Sequence, residues 1–215
     1  MAEPYLTVSG YTEQETEVRR SRFICALAPV TGEGQAAEFV AARRKAHHAA
    51  RHTCSAYVVG GDRRVQRADD DGEPSGTAGV PMLEVLNRRG FADTIAVVTR
   101  YFGGILLGAG GLARAYGGAV AEALDAAGIV TMVPARIMTV LIGHAHAGRL
   151  ENDLHASDHT VRDISYGADV VIEVGVGLDR VDEFTSWLAG ATAGQAIVSP
   201  GPLVYVPTRR TGHGA

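Results

Sequence analysis

The sequence contains few of the residue types that mark secreted or membrane proteins. Only two of its 215 residues, Cys25 and Cys54, are cysteines. That is too few for a disulfide framework, so we expect both thiols to be reduced and buried. The longest apolar stretch, around Ile105 to Leu107, is broken by glycines and is far shorter than the ~20 residues of a membrane-spanning helix. The N-terminal residues have neither a basic start nor an apolar segment, so no secretory signal is expected. We therefore expect a cytoplasmic protein with no membrane partner.

Lysine is also nearly absent, since Lys45 is the only lysine among 20 basic residues. Fourteen of the 20 precede Val133, in a chain whose formal net charge is −4. The negative net charge argues against strong nonspecific binding to DNA, and no DNA partner is expected. Arginine clusters at residues 19–22, 63–64 and 88–89 suit the recognition of phosphate or carboxylate groups. Taken singly, each cluster is more typical of a solvated surface balanced by nearby acids.

A composition of 46% hydrophobic and 20% charged residues is typical of a globular protein, and the length favours two small domains. In the first part of the chain, the periodicity of apolar residues predicts alternating strands and helices. These are a half-buried strand within 15–28, a helix over 35–50, a strand over 53–61 paired with a short one near Val65, a helix over 80–89, a central strand over 93–102, and a helix from Gly111 that ends at a C′ glycine, Gly128. Gly117 and Gly118 lie inside this last helix and predict the close approach of another helix or a sheet.

The pattern restarts after Pro134 and reads βαββαβ, the order of a ferredoxin-like sandwich. Within it, Asp179 is a predicted N-cap residue. The expected fold class is therefore α+β, with an N-terminal α+β domain over residues 1–133 and a ferredoxin-like domain over 134–208. Residues 209–215 are predicted to be a disordered tail.

Residues 100–118 contain seven glycines, which raises the possibility of a phosphate-binding loop. A P-loop requires lysine and then serine or threonine after its second glycine, but Ala109 and Gly110 occupy those positions after Gly108. The segment "GAGGLA" fits the dinucleotide pattern, but it begins too far after its strand and no acid follows about twenty residues later. Apolar residues in the middle of the loop predict that it is folded under the structure.

Arg114 lies in the first turn of a predicted helix, the end that disfavours a cation, so an acidic partner or a bound anion is expected nearby. The leading structural hypothesis is an ion-paired scaffold between the acidic loop 69–73 and Arg100 or Arg114. The alternative is a phosphate- or nucleotide-handling enzyme that uses the acidic loop 69–73 and the glycine-rich loop 103–111. His48, His52 and Cys54 could supply three zinc ligands, but no fourth ligand is evident. We expect no metal and no cofactor.

Two long segments, "DDGEPSGTAGVPMLEVL" over 70–86 and "VVTRYFGGILLGAGGLARAYGGAV" over 97–120, closely resemble the IMPACT/YigZ family of translation regulators. The segments "EVRRSRFIC" over 17–25 and "HAARHTCSAY" over 48–57 are similar to two further motifs of that family. The resemblance covers most of residues 15–128, and the C-terminal part looks like the smaller second domain of the bacterial members. It implies a first domain with a fold like those of ribosomal-protein and elongation-factor domains, followed by a ferredoxin-like domain.

The resemblance also marks candidate binding residues, without giving any of them a catalytic role. The family's motif positions correspond here to Ser21, Arg22, His48, His52, Cys54, Asp70, Asp71, Glu73, Ser75, Gly76, Arg100, Gly103, Gly104, Gly108, Gly110, Gly111 and Arg114. A non-catalytic regulator of translation is favoured over an enzyme. Its expected partners are the ribosome or RNA, or a protein partner in translational control, and the sequence does not rank these.

Overall fold

The computed structural model describes residues 2–157 and 159–208. The chain divides into two compact units, Met1–Thr131 and Met132–Ala215. In the described ranges, no helix is both long and apolar enough to cross a membrane. The predicted disordered tail, residues 209–215, lies outside the described residues.

The first unit is built on a five-stranded antiparallel sheet. A short strand, β1 (Tyr5–Val8), comes first in the chain and lies beside the segment from Gly90 to Ala92 through two backbone hydrogen bonds of Leu6. The sheet strands are β2 (Thr12–Val18), β3 (Ser21–Pro29), β4 (His52–Val59), β5 (Val65–Asp69) and β6 (Thr94–Tyr101), in the spatial order β2-β3-β6-β4-β5. All residues of β6 except the last are buried. The predicted central position of this strand is therefore confirmed.

Helices cover both faces of the sheet because successive strand residues point to opposite sides. The helices are α1 (Glu33–Ala46), α2 (Gly79–Arg88) and α3 (Ala109–Ala126). On one face, Phe39 and Val40 of α1 pack against a cluster that contains Ile95 and Val97. On the other face lie α2 and α3. The predicted apolar stripe of α3 is buried at Leu112, Ala115, Tyr116, Ala119, Val120, Ala123 and Leu124.

The single half-buried strand predicted within residues 15–28 is wrong. The structure has two strands there, β2 and β3, joined by a turn at Arg19 and Arg20. Seven of the nine residues of β3 are buried, because the strand lies inside the sheet with a helix-covered face on each side. Both turn residues have positive φ, 47° and 65°, which matches the primed turns that two-residue hairpin loops favour.

The predictions about the glycines in and after α3 are confirmed only in part. Gly128 follows the C-cap residue Ala127, as predicted for a C′ glycine, but its φ is not positive. A Cβ at position 128 would lie 2.3 Å from Oγ of Ser9. Gly117 does face α2, with Val85 Cγ2 at 3.6 Å and Pro81 O at 3.7 Å from a Cβ placed there. A Cβ at Gly118 would meet no atom within 4 Å, so none of the residues that the structure describes packs closely against this glycine.

The second unit has the predicted ferredoxin-like order. Its elements are β7 (Ile129–Ile142), which begins just before the boundary between the units, α4 (His144–His155), β8 (Thr160–Tyr166), β9 (Val170–Gly177), α5 (Val181–Ala191) and β10 (Ile197–Pro207). The strands are ordered β10-β7-β9-β8, all neighbours being antiparallel. The two helices bury Leu150, Leu154, Phe184 and Leu188 against the sheet. The predicted α+β fold class is confirmed, but the predicted N-cap is wrong, because Asp179 lies in a 3₁₀ turn that precedes α5.

Gly103 fixes the position of the glycine-rich loop against the β2–β3 turn. A Cβ at this position would lie 2.0 Å from both the carbonyl carbon and the carbonyl oxygen of Arg20, and 2.5 Å from the nitrogen of Ser21. These are backbone atoms, which cannot move aside as a flexible side chain can. Only glycine therefore allows the two segments to pass each other.

We expect Gly103→Ala to lower the free energy of unfolding by about 2–4 kcal/mol, since the added methyl group forces two backbone segments apart. Urea denaturation of the full chain measures this change. Gly34→Ala in α1 is the matched control, because a Cβ there meets no atom within 4 Å. The control should be neutral or stabilising by up to about 1 kcal/mol. Equal stability of the two variants would show that the close approach is not real.

Candidate functional site

Glu73, which follows β5, meets Arg100 of β6 in the interior of the first unit. Nη1 of Arg100 donates a hydrogen bond to Oε1 of Glu73 at 2.6 Å, and the two side chains are 8% and 3% exposed. The hydroxyl of Tyr116 on α3 donates to the same oxygen at 2.8 Å, and burial raises the pKa of Tyr116, so this donor stays protonated. The guanidinium carbon of Arg100 lies 5.5 Å from the ring centroids of both Phe23 and Phe102. The two charges thus neutralise each other inside an aromatic enclosure.

Ser21 links this ion pair to the glycine-rich loop. Its hydroxyl oxygen, fully buried at the start of β3, accepts hydrogen bonds from Arg100 Nη2 at 3.5 Å and from the backbone nitrogen of Gly103 at 3.2 Å. The motif residues Ser21, Arg100 and Gly103 therefore hold the ends of β3 and β6 together.

Asp70 caps the start of α2. Its carboxylate accepts hydrogen bonds from the backbone nitrogens of Gly76 at 2.7 Å, Ala78 at 3.0 Å and Gly79 at 2.8 Å. Burial alone would raise the pKa of Asp70, but the three backbone donors outweigh it and lower the pKa below its usual value. The anion at this helix N-terminus is thus supplied by the chain itself, where a phosphate would otherwise bind.

Asp71 is also engaged by neighbouring groups. Its carboxylate accepts a hydrogen bond from the backbone nitrogen of Thr53 at 2.7 Å and pairs with Arg44 of α1 at 2.7 Å. All three motif acids, Asp70, Asp71 and Glu73, therefore hold parts of the first unit in place.

The possible zinc ligands are not assembled into a metal site. His52 Nδ1 donates to the carbonyl oxygen of Asp71 at 2.9 Å, and the thiol of Cys54 donates to the carbonyl oxygen of Asp70 at 3.0 Å. Burial raises the pKa of Cys54 to about 12, which keeps it a neutral thiol. His48 is exposed near the end of α1. In residues 2–157 and 159–208, no three His, Cys, Asp or Glu side chains form a group that could hold a metal ion.

Several other motif residues lie at the surface around this scaffold. Arg22 is exposed and pairs with Glu15 at 2.6 Å. Ser75 is exposed in the loop before α2, next to Gly76. Gly104 and Gly108 adopt positive φ angles of 85° and 70° at the two ends of an exposed loop.

The structure confirms the predicted ion pair of the acidic loop with Arg100, but not one with Arg114. Arg114 is exposed on α3, and no acidic group of the described chain lies within 4 Å of its guanidinium. It opens instead onto a hollow of about 270 Å³ that Arg19 also lines. We call this the basic hollow, formed by Val18, Arg19, Leu107, Gly111, Arg114 and Ala115.

The arginines of the β2–β3 turn are held in an unfavourable backbone conformation. Arg19 and Arg20 both have positive φ, which asparagine and glycine adopt at lower cost. Both side chains are exposed, and neither forms an ion pair with another described residue. The turn thus presents two unpaired cations beside the basic hollow.

The glycine-rich loop is exposed, so the prediction that it folds under the structure is wrong. Leu106 is 83% exposed and Phe102 is 50% exposed. The loop ends at Gly108, the N-cap residue of α3, where no side chain caps the helix and no acid lies in the first turn. Gly110 and Gly111 lie in that first turn, whereas Arg114 lies in the second, because the helix begins at Ala109 and not at Gly111 as predicted. The predicted place of Arg114 in the first turn is therefore wrong. The positive end of the α3 dipole therefore adds to the charge of the arginines.

Sequence reasoning did not assign a role to Tyr116 and Phe23. Tyr116 lies in the predicted apolar stripe of α3, and a tyrosine in such a stripe usually has a hydrogen-bond partner for its hydroxyl. That expectation could have connected α3 to Glu73. No sequence signal shows that Phe23 covers Arg100, because the pairing depends on the register of β3 with β6.

Known proteins match this chain over nearly its whole length. The model of the Impact N-terminal domain matches residues 19–124, and a domain of unknown function (DUF1949) matches residues 140–195. The IMPACT family member YvyE of Bacillus subtilis is 46% identical over 206 residues, covering 96% of this chain and 95% of that protein. The chain belongs to the IMPACT family. The IMPACT family member YigZ of Escherichia coli is 39% identical over 180 residues, covering 83% of this chain and 88% of that protein.

A solved crystal structure of a hypothetical protein supports the same architecture. It is 36% identical, has a TM-score of 0.68, and covers 92% of this chain and 97% of its own. All the motif residues of this IMPACT family chain, from Ser21 to Arg114, lie inside the segment that the Impact N-terminal domain matches.

We expect Glu73→Gln to lower the free energy of unfolding by about 3–5 kcal/mol, because it leaves the buried charge of Arg100 without a counterion. Asp69→Asn is the matched control, since Asp69 is 55% exposed and lies 3.5 Å from Arg44. The control should change stability by no more than about 0.5 kcal/mol. Denaturation at neutral pH measures both, and a Glu73→Gln protein as stable as Asp69→Asn would contradict the structural role of this carboxylate.

Proposed function

We propose that this IMPACT family chain regulates translation by binding RNA, such as an RNA segment of the ribosome, without catalysing a reaction. The observation that carries the proposal is the basic hollow, where Arg19 and Arg114 converge without an acidic partner in the described chain. An isolated phosphate group fits such a site because arginine donates paired hydrogen bonds to its oxygens.

The surroundings of the hollow favour an anion further. The uncapped N-terminus of α3 directs free backbone N–H groups outward, and the helix dipole raises the local positive potential. Arg114 lies in the second turn of α3, and its Nη1 lies 3.6 Å from a Cβ placed at Gly110 of the first turn. Its guanidinium therefore adds a charged donor next to the free N–H groups, and together they favour a bound anion.

The exposed loop between Phe102 and Leu106 extends this surface. The ring of Phe102 is half exposed, and single-stranded RNA is commonly bound by aromatic rings that stack on its bases. Basic groups beside an accessible ring are the combination that single-stranded nucleic acids require. With a formal net charge of −4, the chain would bind through this local surface rather than through its overall charge.

The alternative of a phosphate- or nucleotide-handling enzyme requires free groups at the acidic loop. The carboxylates of Asp70, Asp71 and Glu73 are each occupied by backbone donors or by arginine. This engagement supports the non-catalytic proposal, because an enzyme of that type needs carboxylates available for a metal ion or a proton.

The test compares RNA binding by the parent chain with that of the triple variant Arg19→Glu, Arg20→Glu and Arg114→Glu. Fluorescence anisotropy with a single-stranded RNA oligonucleotide, and cosedimentation with ribosomes, are measured at several salt concentrations. The triple variant should bind at least about tenfold more weakly, and the slope of log affinity against log salt should fall by about 2, as expected for three lost phosphate contacts.

The matched control is the triple variant Arg51→Glu, Arg64→Glu and Arg67→Glu, which changes the net charge equally at exposed positions away from the hollow. The control should keep most of the affinity and most of the salt slope. Equal losses in the two triple variants, or no loss in either, would refute a binding surface at the basic hollow.

A further inference from the structure

A second surface of the first unit lies in the groove between α2 and α3. The groove has a volume of about 570 Å³ and an apolar floor that includes Val85, Gly117 and Gly118. Its sides carry Arg88 and Arg114. We call this the helix groove.

The fold leaves room for a side chain at Gly118 on the floor of the groove. Gly118 lies in the middle of α3, where glycine costs about 1 kcal/mol relative to alanine. A Cβ at this position would meet no atom within 4 Å, and a Cβ at Gly117 would make only ordinary contacts with α2. The fold of the chain therefore gives no reason for the absence of a side chain at Gly118. What the glycine does is expose the helix backbone to whatever enters the groove.

The charges at the groove are unbalanced. Arg88 and Arg114 have no acidic group within 4 Å in the part of the chain that the structure describes, and Arg89 pairs with Asp125. Glu84 is the one acid that lines the groove in the described chain. An occupant that carries negative charge on both sides of an apolar face would complement this arrangement.

The shape and lining of the groove favour a helix over a nucleic acid as its occupant. The lining residues extend over two turns of each helix, from position 81 to 89 and from 113 to 121, which corresponds to a length of about 12 Å. Within the described part of the chain no aromatic side chain lines the groove, so bases have no ring there on which to stack. Small residues on its floor allow another helix to approach closely, as in recognition of an amphipathic helix by an apolar groove.

We propose that the helix groove binds an acidic amphipathic helix of a partner protein. Small apolar residues of that helix pack on Gly117, Gly118 and Val85, and its flanking carboxylates pair with Arg88 and Arg114. The proposal does not depend on RNA binding at the basic hollow, although Arg114 lines both surfaces. The variants that test it, at Gly118 and Arg88, lie outside the basic hollow.

The experiment uses the full chain and a synthetic helical peptide of about 14 residues, with alanine and leucine on one face and glutamate on both sides of it. Binding is followed by two-dimensional NMR of the labelled protein and by anisotropy of the labelled peptide. The amide signals of Gly117, Gly118 and Arg88 should shift on addition of the peptide. A peptide with lysine in place of glutamate should bind at least about tenfold more weakly.

Two variants test the assignment without damage to the fold. Gly118→Leu adds a side chain to the groove at a position where its Cβ meets no atom within 4 Å, and Arg88→Glu reverses the charge at one side of the groove. Both variants should bind the glutamate peptide at least about tenfold more weakly than the parent chain. The melting temperature of Gly118→Leu should stay equal or rise, because leucine has a higher helix propensity than glycine. Gly34→Leu on α1, also in open space, is the matched control and should bind like the parent chain.

Three results would overturn the proposal. The first is no binding of the glutamate peptide at concentrations up to about 1 mM. The second is equal binding by the parent chain and Gly118→Leu. The third is that a single-stranded RNA oligonucleotide, and not the peptide, shifts the signals of Gly117 and Gly118, which would assign the groove to nucleic acid. Gly118→Leu should still bind RNA with the affinity of the parent chain. The outcome at the helix groove is then independent of the outcome at the basic hollow.

Discussion

The buried ion pair of Arg100 with Glu73 is the interaction on which the arrangement of the first unit depends. A guanidinium with so little exposure is tolerable only when a carboxylate neutralises it and further donors satisfy that carboxylate. Tyr116 supplies one such donor from α3, and Ser21 accepts from Arg100 at the start of β3. One charged pair therefore fixes the acidic loop, a helix and two strands relative to one another.

This internal neutralisation separates two groups of charged residues. The acids turn inward or bind backbone donors, whereas Arg19, Arg20 and Arg114 remain outside without counterions in the described chain. The glycine-rich segment connects the buried ion pair to the exposed arginines. Gly103 allows the loop to pass against Arg20, while the exposed residues that follow lead to the uncapped start of α3. The resulting outer surface is basic even though the whole chain is acidic.

Much of the fold could be predicted because it depends on local periodicity. The stripe of α3, the central strand β6 and the βαββαβ order all follow from the spacing of apolar residues. The sequence also indicated a pairing of the acidic loop with Arg100. The hairpin at Arg19 and Arg20 could not be predicted, because arginine is an unusual residue at positive φ and its turn is set by the pairing of β2 with β3. The exposure of Leu106 was missed for a similar reason: apolar character favours burial but does not determine it.

A double-mutant cycle between Glu73 and Arg100 tests the central claim most directly. Glu73→Leu, Arg100→Met and the combined variant are compared with the parent chain by urea denaturation. If the pair is the structural centre described here, the coupling free energy should be about 2–3 kcal/mol, with the combined variant more stable than either single one. Single-variant effects that add to within about 0.5 kcal/mol would contradict the account, because the two side chains would then contribute to stability independently.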